Sequence, residues 1–578
     1  MHVAATPLLI LILRVSYTLS TGNSLSWRVS KDEDPSHQAE LRPRHPHINL
    51  EPVEEDWSLS ARDQVQNHSA ISSRTDRRKC HNKDARFSYS PPPIVVPPLT
   101  PFDPLLSTVY RYRHQKSVNL GAWFVAEQWM SPSIFECAHG PQAAELDITS
   151  GPNGEPILQK HWDTFITQPD FDYLASIGIN TVRLPIGYWS LGPAFCQDTP
   201  FQDVSHVYAD SWNRVLRTLQ MAEDAGIGVL VDLHDGHVGL FENQDNMDKT
   251  ISVLEFLVGQ LAPLNNVVGV QILNEPNDDP KLIPFYSDAI TKMRAVSAEA
   301  AELPLYIHDA FNLPKYIDFV NNRTDFVVLD HHSYFVFTPS DAAEPASQHT
   351  SDINTQVSDE LKSNLPRHNV VVGEWSCALT PESLEHEENK DQSVRDFCRT
   401  QLDVYTEDTA GWAFWSYKTE DCEQDPAWCF RSAVQTGALP DTFFSYNVSD
   451  PSFLTHILGR PLAAPKPSPR AVQDDARSLD LPRALFDSFD NLRDSKSTPG
   501  SPEDKGFSDG HKTAKQFATH GLSKLGFVGQ YISHLLESKQ AGVDPGNEDE
   551  CKRYEDAFVR GLKHGEEQVA QLIATHDL

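Results

Sequence analysis

The stretch VVGVQILNEPN, from Val267 to Asn277, decides how the rest of the chain is interpreted. Its first seven residues are almost all apolar and rich in Val and Ile, which indicates a strand buried on both faces. The strand runs without a break into the polar triplet Asn274-Glu275-Pro276. A carboxylate is therefore predicted at the C-terminal end of a parallel strand. A turn that carries an incidental acid is the alternative, because Asn and Pro are common turn formers.

A second stretch, NVVVGEWS from Asn369 to Ser376, repeats this arrangement about a hundred residues later. Its Val-rich strand ends in Glu374. The next residue, Trp375, has an aromatic side chain that could line a sugar-binding site. Two glutamates at the ends of two parallel strands, one of them preceded by Asn274, are what a retaining glycosidase requires. The repetition favours paired catalytic acids over two unrelated turns.

Eight strand patterns succeed one another between residues 117 and 418, with helical stretches such as 211–225 between them. The predicted strands are Ser117–Val125, Ile179–Trp189, Ile227–Asp235, Val267–Leu273, Leu303–Asp309, Phe326–Tyr334, Val370–Trp375 and Gly411–Lys418. This alternation predicts an α/β protein with a (β/α)8 TIM barrel. Such barrels build their active sites at the C-terminal ends of the strands.

Polar and aromatic residues cluster at those predicted strand ends. They are Arg183, His234, Asn274, Glu275, His332, Tyr334, Glu374 and Trp415. Each has a structural alternative, since an arginine can form a surface ion pair, a histidine can lie satisfied in a core and a tryptophan can be plain packing. The eight together favour one shared pocket that faces a sugar.

Composition and charge exclude several classes of partner. With 48 basic and 81 acidic residues the formal charge is −33, so phosphate groups would repel the protein, and nucleic acid or an anionic membrane is disfavoured. No apolar run reaches the roughly 18 to 20 residues of a membrane span. There is neither a CxxC motif nor a His/Cys cluster with zinc spacing, so no metal and no cofactor are predicted.

The chain divides into five predicted segments. Residues 1–22 are similar to a secretory signal, although they lack an n-region Lys or Arg, and a disordered apolar N-terminus is the alternative. Residues 23–103 are polar and Pro-rich and are predicted to be a disordered leader. The catalytic domain spans 104–458, a Pro/Ser-rich linker spans 459–510, and a small helical appendage spans 511–578.

The cysteines and glycosylation motifs favour an exported protein. The chain has eight cysteines, an even number, and N-x-S/T motifs at Asn67, Asn322 and Asn447. Cys422 and Cys429 flank a short loop that a disulfide could close. Pairing by sequence proximity further predicts Cys377 with Cys398 and Cys137 with Cys196. A fourth predicted pair, Cys80 with Cys551, would tie the two ends of the chain together.

Six motifs carry a resemblance to a known family: RLPIGYW, DLH, QILNEP, DHHSYFVF, GEWS and GWAFWSYKTE. Residues 104–450 resemble glycoside hydrolase family 5, and within it the fungal exo-β-1,3-glucanases. The resemblance implies that Glu275 is the acid/base and Glu374 the nucleophile. It also implies substrate-binding roles for Glu127, Arg183, His234, Asn274, His332, Tyr334 and Trp415. Among these, Glu127 would contact the glucose of the innermost subsite, Arg183 would keep the nucleophile ionised, Asn274 would bind the sugar 2-hydroxyl, Tyr334 would touch the nucleophile and Trp415 would form the pocket floor.

The chemistry requires two carboxyls with unlike environments. One must protonate the leaving oxygen and the other must attack the anomeric carbon as an anion. We therefore expect Arg183 to lower the pKa of Glu374, and burial with a negative neighbour to raise that of Glu275. The resulting hypothesis is a secreted enzyme that cleaves β-1,3-glucan from the chain end in the cell wall. A silent glucan-binding wall protein, a β-1,6- or β-1,4-glucanase and a transglycosylase remain alternatives.

One loop departs from the resembled enzymes. In those enzymes the loop after the histidine of the third strand is longer and begins Gly-Ala-Pro-Gly-Ser, whereas here His234 is followed by DGHVGLFENQDN. Because this loop lies at the pocket mouth, the leaving-group subsite and the preference for linkage and chain length are open. A more open mouth would bring internal glucan bonds within reach.

Overall fold

The computed structural model describes residues 88–94, 100–234, 239–363, 367, 369–447 and 498–575. Eight parallel strands close into a barrel in chain order, which confirms the predicted (β/α)8 fold. The strands are β1 (Gln115–Asn119), β2 (Thr181–Ile186), β3 (Gly228–Leu233), β4 (Val267–Gln271), β5 (Leu305–His308), β6 (Val327–Ser333), β7 (Val370–Trp375) and β8 (Gly411–Phe414). All but β7 are shorter than predicted, because residues at their ends leave the ladder for the loops.

The register of the barrel brings distant polar residues side by side. Asn119 on β1 pairs with Arg183 on β2, and His332 on β6 pairs with Glu374 on β7. The β6–β7 register shifts between His331 and His332, at the point where the functional residues begin. Backbone closure thus sets which side chains share the barrel interior.

Helices fill the connections between the strands. Before β1 lies α1 (Pro104–Tyr112). The connections hold α2 (Glu145–Thr149), α3 (Gly154–Thr164), α4 (Gln168–Ser176), α5 (Ser211–Asp224), α6 (Gln244–Leu261), α7 (Leu282–Arg294), α8 (Ala298–Ala301), α9 (Leu313–Asn321), α10 (Pro339–Ala343), α11 (Ala346–Asp352), α12 (Ser358–Ser363) and α13 (Lys390–Asp408), and α14 (Phe430–Gln435) follows β8. The described C-terminal part forms α15 (Pro502–Ala518), α16 (Val528–Glu537) and α17 (Glu548–Thr575).

Helix boundaries follow from local capping chemistry. The side chain of Asp103 accepts hydrogen bonds from the N–H groups of Leu105 and Leu106, and Pro104 occupies the first turn of α1. Asn243 and Asn389 cap α6 and α13 in the same way. These side chains satisfy N–H groups that a helix start leaves without partners.

Two large apolar clusters hold the described part of the molecule together. The main core lies between the strands and the surrounding helices, as expected for a barrel whose strands are buried on both faces. A second cluster joins residues of the N-terminal halves of the strands, including Leu230, Val268 and Val328, to α1 and to α15–α17. The C-terminal helices therefore pack against the end of the barrel opposite the predicted active site.

Hydrogen bonds fix the C-terminal helices to that end of the barrel. The N–H of His114 donates to the carbonyl of Lys524 at 2.8 Å, and Gly526 donates to Tyr112 at 2.9 Å. The buried amide of Asn369 donates to Oε1 of Gln530 at 2.8 Å. The predicted appendage is thus continuous with the barrel. Its first helix begins at Pro502, so the predicted linker ends earlier than residue 510.

Helices α15 and α17 approach each other through glycines spaced four residues apart. A Cβ atom at Gly510 would lie 2.0 Å from the carbonyl oxygen of Phe558, and one at Gly561 would lie 2.1 Å from that of Phe507. A Cβ atom at Gly506 would likewise lie 2.3 Å from the carbonyl oxygen of Tyr554. The absence of side chains at these positions lets the two backbones touch, which increases the packed contact between the helices.

The disulfide predictions are confirmed for two pairs and wrong for two. Cys377 is bonded to Cys398, and Cys422 to Cys429. Cys196 is free, because its side chain is buried in the main core, where the thiol donates to the carbonyl of Gly192. Cys551 is also free, on α17 beside the carbonyl of Asp544, so neither Cys137–Cys196 nor Cys80–Cys551 forms.

Cys137 is disulfide-bonded as well. The predicted signal at 1–22, most of the predicted leader, the glycosylation motif at Asn67, Cys80 and most of the predicted linker lie outside the described residues. Of the helices that the structure describes, none combines the length and the apolar character that a membrane crossing needs.

Candidate active site

The eight residues predicted at the strand ends meet at the C-terminal end of the barrel. Arg183 is the buried centre of this site, and its guanidinium contacts five neighbours. It donates to Oε1 of Glu374 at 2.7 Å, Oδ1 of Asn274 at 2.7 Å, Oε1 of Gln271 at 2.8 Å and Oδ1 of Asn119 at 2.9 Å, and Nη2 lies 3.0 Å from Oδ2 of Asp232. A planar fork of five N–H donors can hold such a set, whereas a single ammonium could not.

Glu374 is held from two sides at the end of β7. Oε1 accepts the bond from Arg183, and Oε2 accepts one from the hydroxyl of Tyr334 at 2.8 Å. Burial raises the pKa of Glu374, and the charges of His332 and Arg183 oppose this shift without cancelling it. The expected lowering effect of Arg183 is present, but burial outweighs it, so the pKa of Glu374 lies above its ordinary value.

Glu275 lies at the mouth of the same pocket, with its side chain 31% exposed. Its backbone has a φ of +40°, a conformation that costs a residue with a side chain about 1–3 kcal/mol and that clusters at functional sites. Oε1 of Glu275 lies 2.7 Å from Nδ1 of His332. Burial acts to raise the pKa of Glu275, but the hydrogen bond and the charge of His332 lower it to about 2. The expected upward shift is therefore wrong for the free protein.

His332 bridges the two carboxylates. Its Nδ1 lies 2.7 Å from Oε1 of Glu275 and 3.6 Å from Oε2 of Glu374. These oxygens are consequently closer together than the roughly 6.5 Å at which the carboxyl separations of inverting glycosidases begin. A separation below that range suits direct attack by one carboxylate.

His234 and Trp415 form another wall of the site. Nδ1 of His234 lies 2.7 Å from Oδ2 of Asp232, and its Nε2 lies 3.5 Å from Nδ2 of Asn274. Burial acts to lower the pKa of His234, but the hydrogen bond and the charge of Asp232 raise it. The ring stacks on that of Trp415, with centroids 5.7 Å apart and planes 13° apart. A flat aromatic surface beside polar groups is what a sugar ring requires.

Half-buried aromatic rings surround the remaining side of the pocket. Nε1 of Trp129 donates to Oε2 of Glu127 at 2.9 Å, which fixes that carboxylate in the loop after β1. Trp428 packs against Trp129 at 5.6 Å and against Tyr334 at 5.7 Å between ring centroids. The disulfide of Cys422 and Cys429 closes the loop that carries Trp428.

The sequence analysis missed several residues of this site. They are Asn119, Asp232, Gln271, Asp330 and Trp428. Next to the loop after β1, the buried carboxylate of Glu145 accepts from the N–H of Ala126, from Trp189 and from Tyr208. A usable signal exists for two of the missed residues. Asp232 and Asp330 each precede a predicted site histidine by two residues, and alternate residues of a strand share a face.

One cluster in the described part of the chain brings three potential metal-ligand atoms together. It consists of Glu275, His308 and His332, with ligand atoms within 4.8 Å of one another. Nδ1 of His308 accepts a hydrogen bond from the N–H of Ala310 at 2.9 Å, and burial lowers the pKa of His308 to about 4. The neutral ring then carries its proton on Nε2, which offers no lone pair to a metal.

Comparisons with known proteins agree with this geometry. A family model described as Cellulase (glycosyl hydrolase family 5) matches residues 149–421. A Schizosaccharomyces pombe protein named glucan 1,3-beta-glucosidase 3 is 34% identical over 354 residues, which cover 57% of this chain and 74% of that protein. A Kluyveromyces lactis protein named glucan 1,3-beta-glucosidase is 30% identical over 408 residues, which cover 58% of this chain and 91% of the relative. A Blumeria graminis protein of the same name is 30% identical over 403 residues, with 59% and 90% covered.

Proposed function

Because this chain belongs to glycoside hydrolase family 5, whose enzymes are retaining glycosidases with two catalytic glutamates, we propose that it hydrolyses β-1,3-glucan and releases glucose from the chain end. Glu374 is the nucleophile and Glu275 the acid/base. The observation that carries the proposal is the contact of Glu374 with both Arg183 and Tyr334 in a barrel whose relatives are named glucan 1,3-beta-glucosidase.

The mechanism follows from these contacts. Glu374 attacks the anomeric carbon while Glu275 gives a proton to the departing oxygen, which forms a glycosyl-enzyme with a neutral leaving alcohol. Water then attacks the same carbon, Glu275 accepts its proton and Glu374 leaves. Arg183 stabilises the carboxylate of Glu374 each time it carries charge. Asn274, which is held by Arg183, binds the 2-hydroxyl, and Trp415 supports the apolar face of the sugar.

The binding roles of the other site residues complete the innermost sugar subsite. Glu127, fixed by Trp129, contacts glucose hydroxyls, and His234 holds the side of the pocket next to Asn274. His332 connects the two glutamates. The pocket requires neither metal nor cofactor for this reaction. The polymer substrate is neutral, which suits a chain with a formal charge of −33.

We further propose that the enzyme acts outside the cell, on cell-wall glucan. The paired cysteines Cys377–Cys398 and Cys422–Cys429 are typical of proteins from oxidising compartments. Asn322 and Asn447, the acceptor residues of two glycosylation motifs, are exposed on the surface, where an oligosaccharide can be accommodated. Recovery of the native protein from culture supernatant with glycans on these residues tests this part. Retention inside the cell would contradict it.

The proposed reaction is tested by early product profiles on laminarin, pustulan and soluble cellulose. We expect glucose to appear first from laminarin and little release from the β-1,6- and β-1,4-linked polymers. Early longer oligosaccharides would overturn chain-end action, and would show that the short loop between His234 and α6 leaves internal bonds accessible. Preference for pustulan or cellulose would overturn the linkage. Accumulation of longer chains at high substrate concentration would indicate transglycosylation. Binding of glucan without turnover would indicate a catalytically silent glucan-binding protein.

A further inference from the structure

A buried carboxylate beneath the acid/base has no place in the mechanism described so far. Asp330 lies on β6, two residues before His332, and is completely buried. Its Oδ2 is 3.3 Å from Nε2 of His332, and its Oδ1 has no hydrogen-bond partner among the described residues. The opposite nitrogen of the same ring, Nδ1, is 2.7 Å from Oε1 of Glu275. The three side chains thus form a continuous line from the barrel interior to the pocket.

We propose that Asp330, His332 and Glu275 form a proton relay, in which Asp330 is a positioning residue that fixes the tautomer of His332, and His332 supplies Glu275 with the proton that the leaving group takes. This inference rests on the proposed function, because it assigns the source of the proton for that reaction. In this relay the general acid is the pair of His332 and Glu275, and not Glu275 alone.

The hydrogen-bond geometry carries the argument. Both ring nitrogens face carboxylate oxygens, and an ionised carboxylate can only accept. With a proton on Nε2 directed at Asp330, Nδ1 can either donate to an ionised Glu275 or accept from a protonated one. The same proton therefore has a position on each side of a 2.7 Å bond. The other neutral tautomer would set a lone pair on Nε2 against the carboxylate of Asp330, which is repulsive.

The electrostatics agree with this arrangement. Burial acts to lower the pKa of His332, but the charges of Glu374 and Asp330 and the hydrogen bonds of Asp330 and Glu275 raise it well above 6.5. The same contact lowers the pKa of Glu275 to about 2. In the free enzyme the proton consequently resides on the ring. Glu275 is ionised in that state, so it can donate only after Nδ1 of His332 has passed this proton to it.

The proton balance closes over one turnover. As the bond from C1 to the glycosidic oxygen breaks, its electron pair goes to that oxygen, Nδ1 of His332 passes its proton to Glu275, and Glu275 passes a proton on to the oxygen. Glu275 is then ionised and His332 is neutral, with its remaining proton on Nε2. Glu374 forms the new bond to C1. In the second half Glu275 accepts a proton from the attacking water and returns it to Nδ1 as the bond to Glu374 breaks. No external acid is consumed.

Other charged and titratable groups surround the relay on the neighbouring strands. They are Glu374 on β7, Arg183 on β2, His234 after β3, His308 on β5 and Asp309 after β5. The ring of His308 lies edge-on to that of His332 with centroids 4.3 Å apart, and its pKa of about 4 keeps it neutral over the range in which the relay loses its proton. The alkaline limb of the rate profile therefore reports the relay.

The test compares Asp330→Asn with the matched control Asp309→Asn. Asp309 is also completely buried and pairs with a histidine of β6, since its Oδ2 lies 2.6 Å from Nδ1 of His331, but it does not touch the acid. For Asp330→Asn we expect kcat/KM on laminari-oligosaccharides to fall roughly 100-fold. Glycosylation by 2,4-dinitrophenyl β-glucoside, whose leaving group needs no proton, should change less than about threefold. The alkaline limb should move to lower pH by about one unit, because the ring loses a negative neighbour.

Three outcomes separate the possibilities. The relay would be overturned if Asp330→Asn lost activity equally on both substrates and its alkaline limb did not move. It would also be overturned if Asp330→Asn behaved like Asp309→Asn. A wild-type protein without activity on laminarin or aryl glucosides would overturn the proposed function instead. If Asp330→Asn does not fold, the protonation of His332 is measured by 15N NMR of wild-type protein labelled at histidine. The His332 signal is identified as the one that is missing from the spectrum of His332→Gln. We expect neutral His332 to carry its proton on Nε2, and a proton on Nδ1 would refute the relay.

Discussion

Nη1 of Arg183 lies 2.7 Å from Oε1 of Glu374, while the other oxygen of that carboxylate receives the hydroxyl of Tyr334 at 2.8 Å. The proposed nucleophile is thus held at both oxygens by side chains from β2 and from the end of β6. Such contacts fix the direction of attack before substrate binds, which reduces the entropy cost of reaching the reactive geometry.

The two glutamates should fail differently when replaced. Glu374→Ala should be inactive on every substrate, because no glycosyl-enzyme can form. Glu275→Ala should lose polymer hydrolysis but still be glycosylated by an activated aryl β-glucoside, and azide should restore turnover as a β-glycosyl azide. Product NMR of the two variants checks this. Azide rescue in Glu374→Ala that gives the α-azide would show that the roles were interchanged.

Retention itself can be checked on the wild type. The proposed pair predicts carboxyls roughly 5 to 5.5 Å apart and net retention at the anomeric carbon. Time-resolved proton NMR of laminari-oligosaccharide hydrolysis should therefore show β-glucose first, with α-glucose appearing later by mutarotation. An initial α-product would contradict the mechanism.

Arg183→Lys should be far from conservative. A lysine keeps the charge but cannot reach Asn119, Gln271, Asn274 and Glu374 together, so buried acceptors lose their donors. Breaking a buried charged pair costs about 3–5 kcal/mol. We expect a fall in kcat of at least about 100-fold and a lower midpoint of thermal unfolding. Arg217→Lys, which alters an arginine in a partly exposed ion pair with Asp163, is the control and should change neither quantity much.

The pH–rate profile should be a bell. Because burial raises the pKa of Glu374 above 4.5, the nucleophile becomes protonated, and activity falls, as the pH drops through a value above 4.5. On the other side, the charges of Glu374 and Asp330 raise the pKa of His332 well above 6.5, so His332 loses its proton, and activity falls, as the pH rises through that raised value. Measurement of kcat/KM on a soluble β-1,3-oligosaccharide locates both limbs. An acid limb well below 4.5 would contradict the upward shift of Glu374.

The glycine contacts of α15 and α17 give a stability test with an internal control. Gly510→Ala would place a Cβ 2.0 Å from a backbone oxygen, so we expect a loss of about 1–3 kcal/mol in the free energy of unfolding. Gly259→Ala lies in α6 with 3.4 Å of clearance and should stabilise by about 0.5–1 kcal/mol. Urea unfolding of both variants measures the difference. Equal effects would mean that the two helices do not meet through these glycines.

Thiol mapping tests the cysteine arrangement. Under denaturing conditions without reductant, alkylation should label Cys196 and Cys551 and spare Cys377, Cys398, Cys422 and Cys429. In the native protein Cys196 should react much more slowly than Cys551, because its thiol is buried. Labelling of Cys422 or Cys429 would contradict the closed loop that carries Trp428.

By itself the sequence determined the barrel, the order of its strands and the positions of the paired acids. It could do so because these signals are local: a Val-rich run ending at Glu275 or Glu374 indicates a buried strand and its polar end without knowledge of its neighbours. The eight polar residues at strand ends could be named for the same reason. The closed disulfide of Cys422 and Cys429 was predictable because only six residues separate the two cysteines.

Only the tertiary structure decided which of those residues touch. Closing the barrel places Asp330 and Glu275 on the two nitrogens of His332, and this contact reverses the pKa shift expected for the acid. It likewise buries Cys196 in the main core, away from any partner, and brings α15–α17 onto the far end of the barrel. These features depend on register and on contacts between residues far apart in the chain, and a hydrogen bond or a charge interaction acts over a few ångströms of space regardless of separation in sequence.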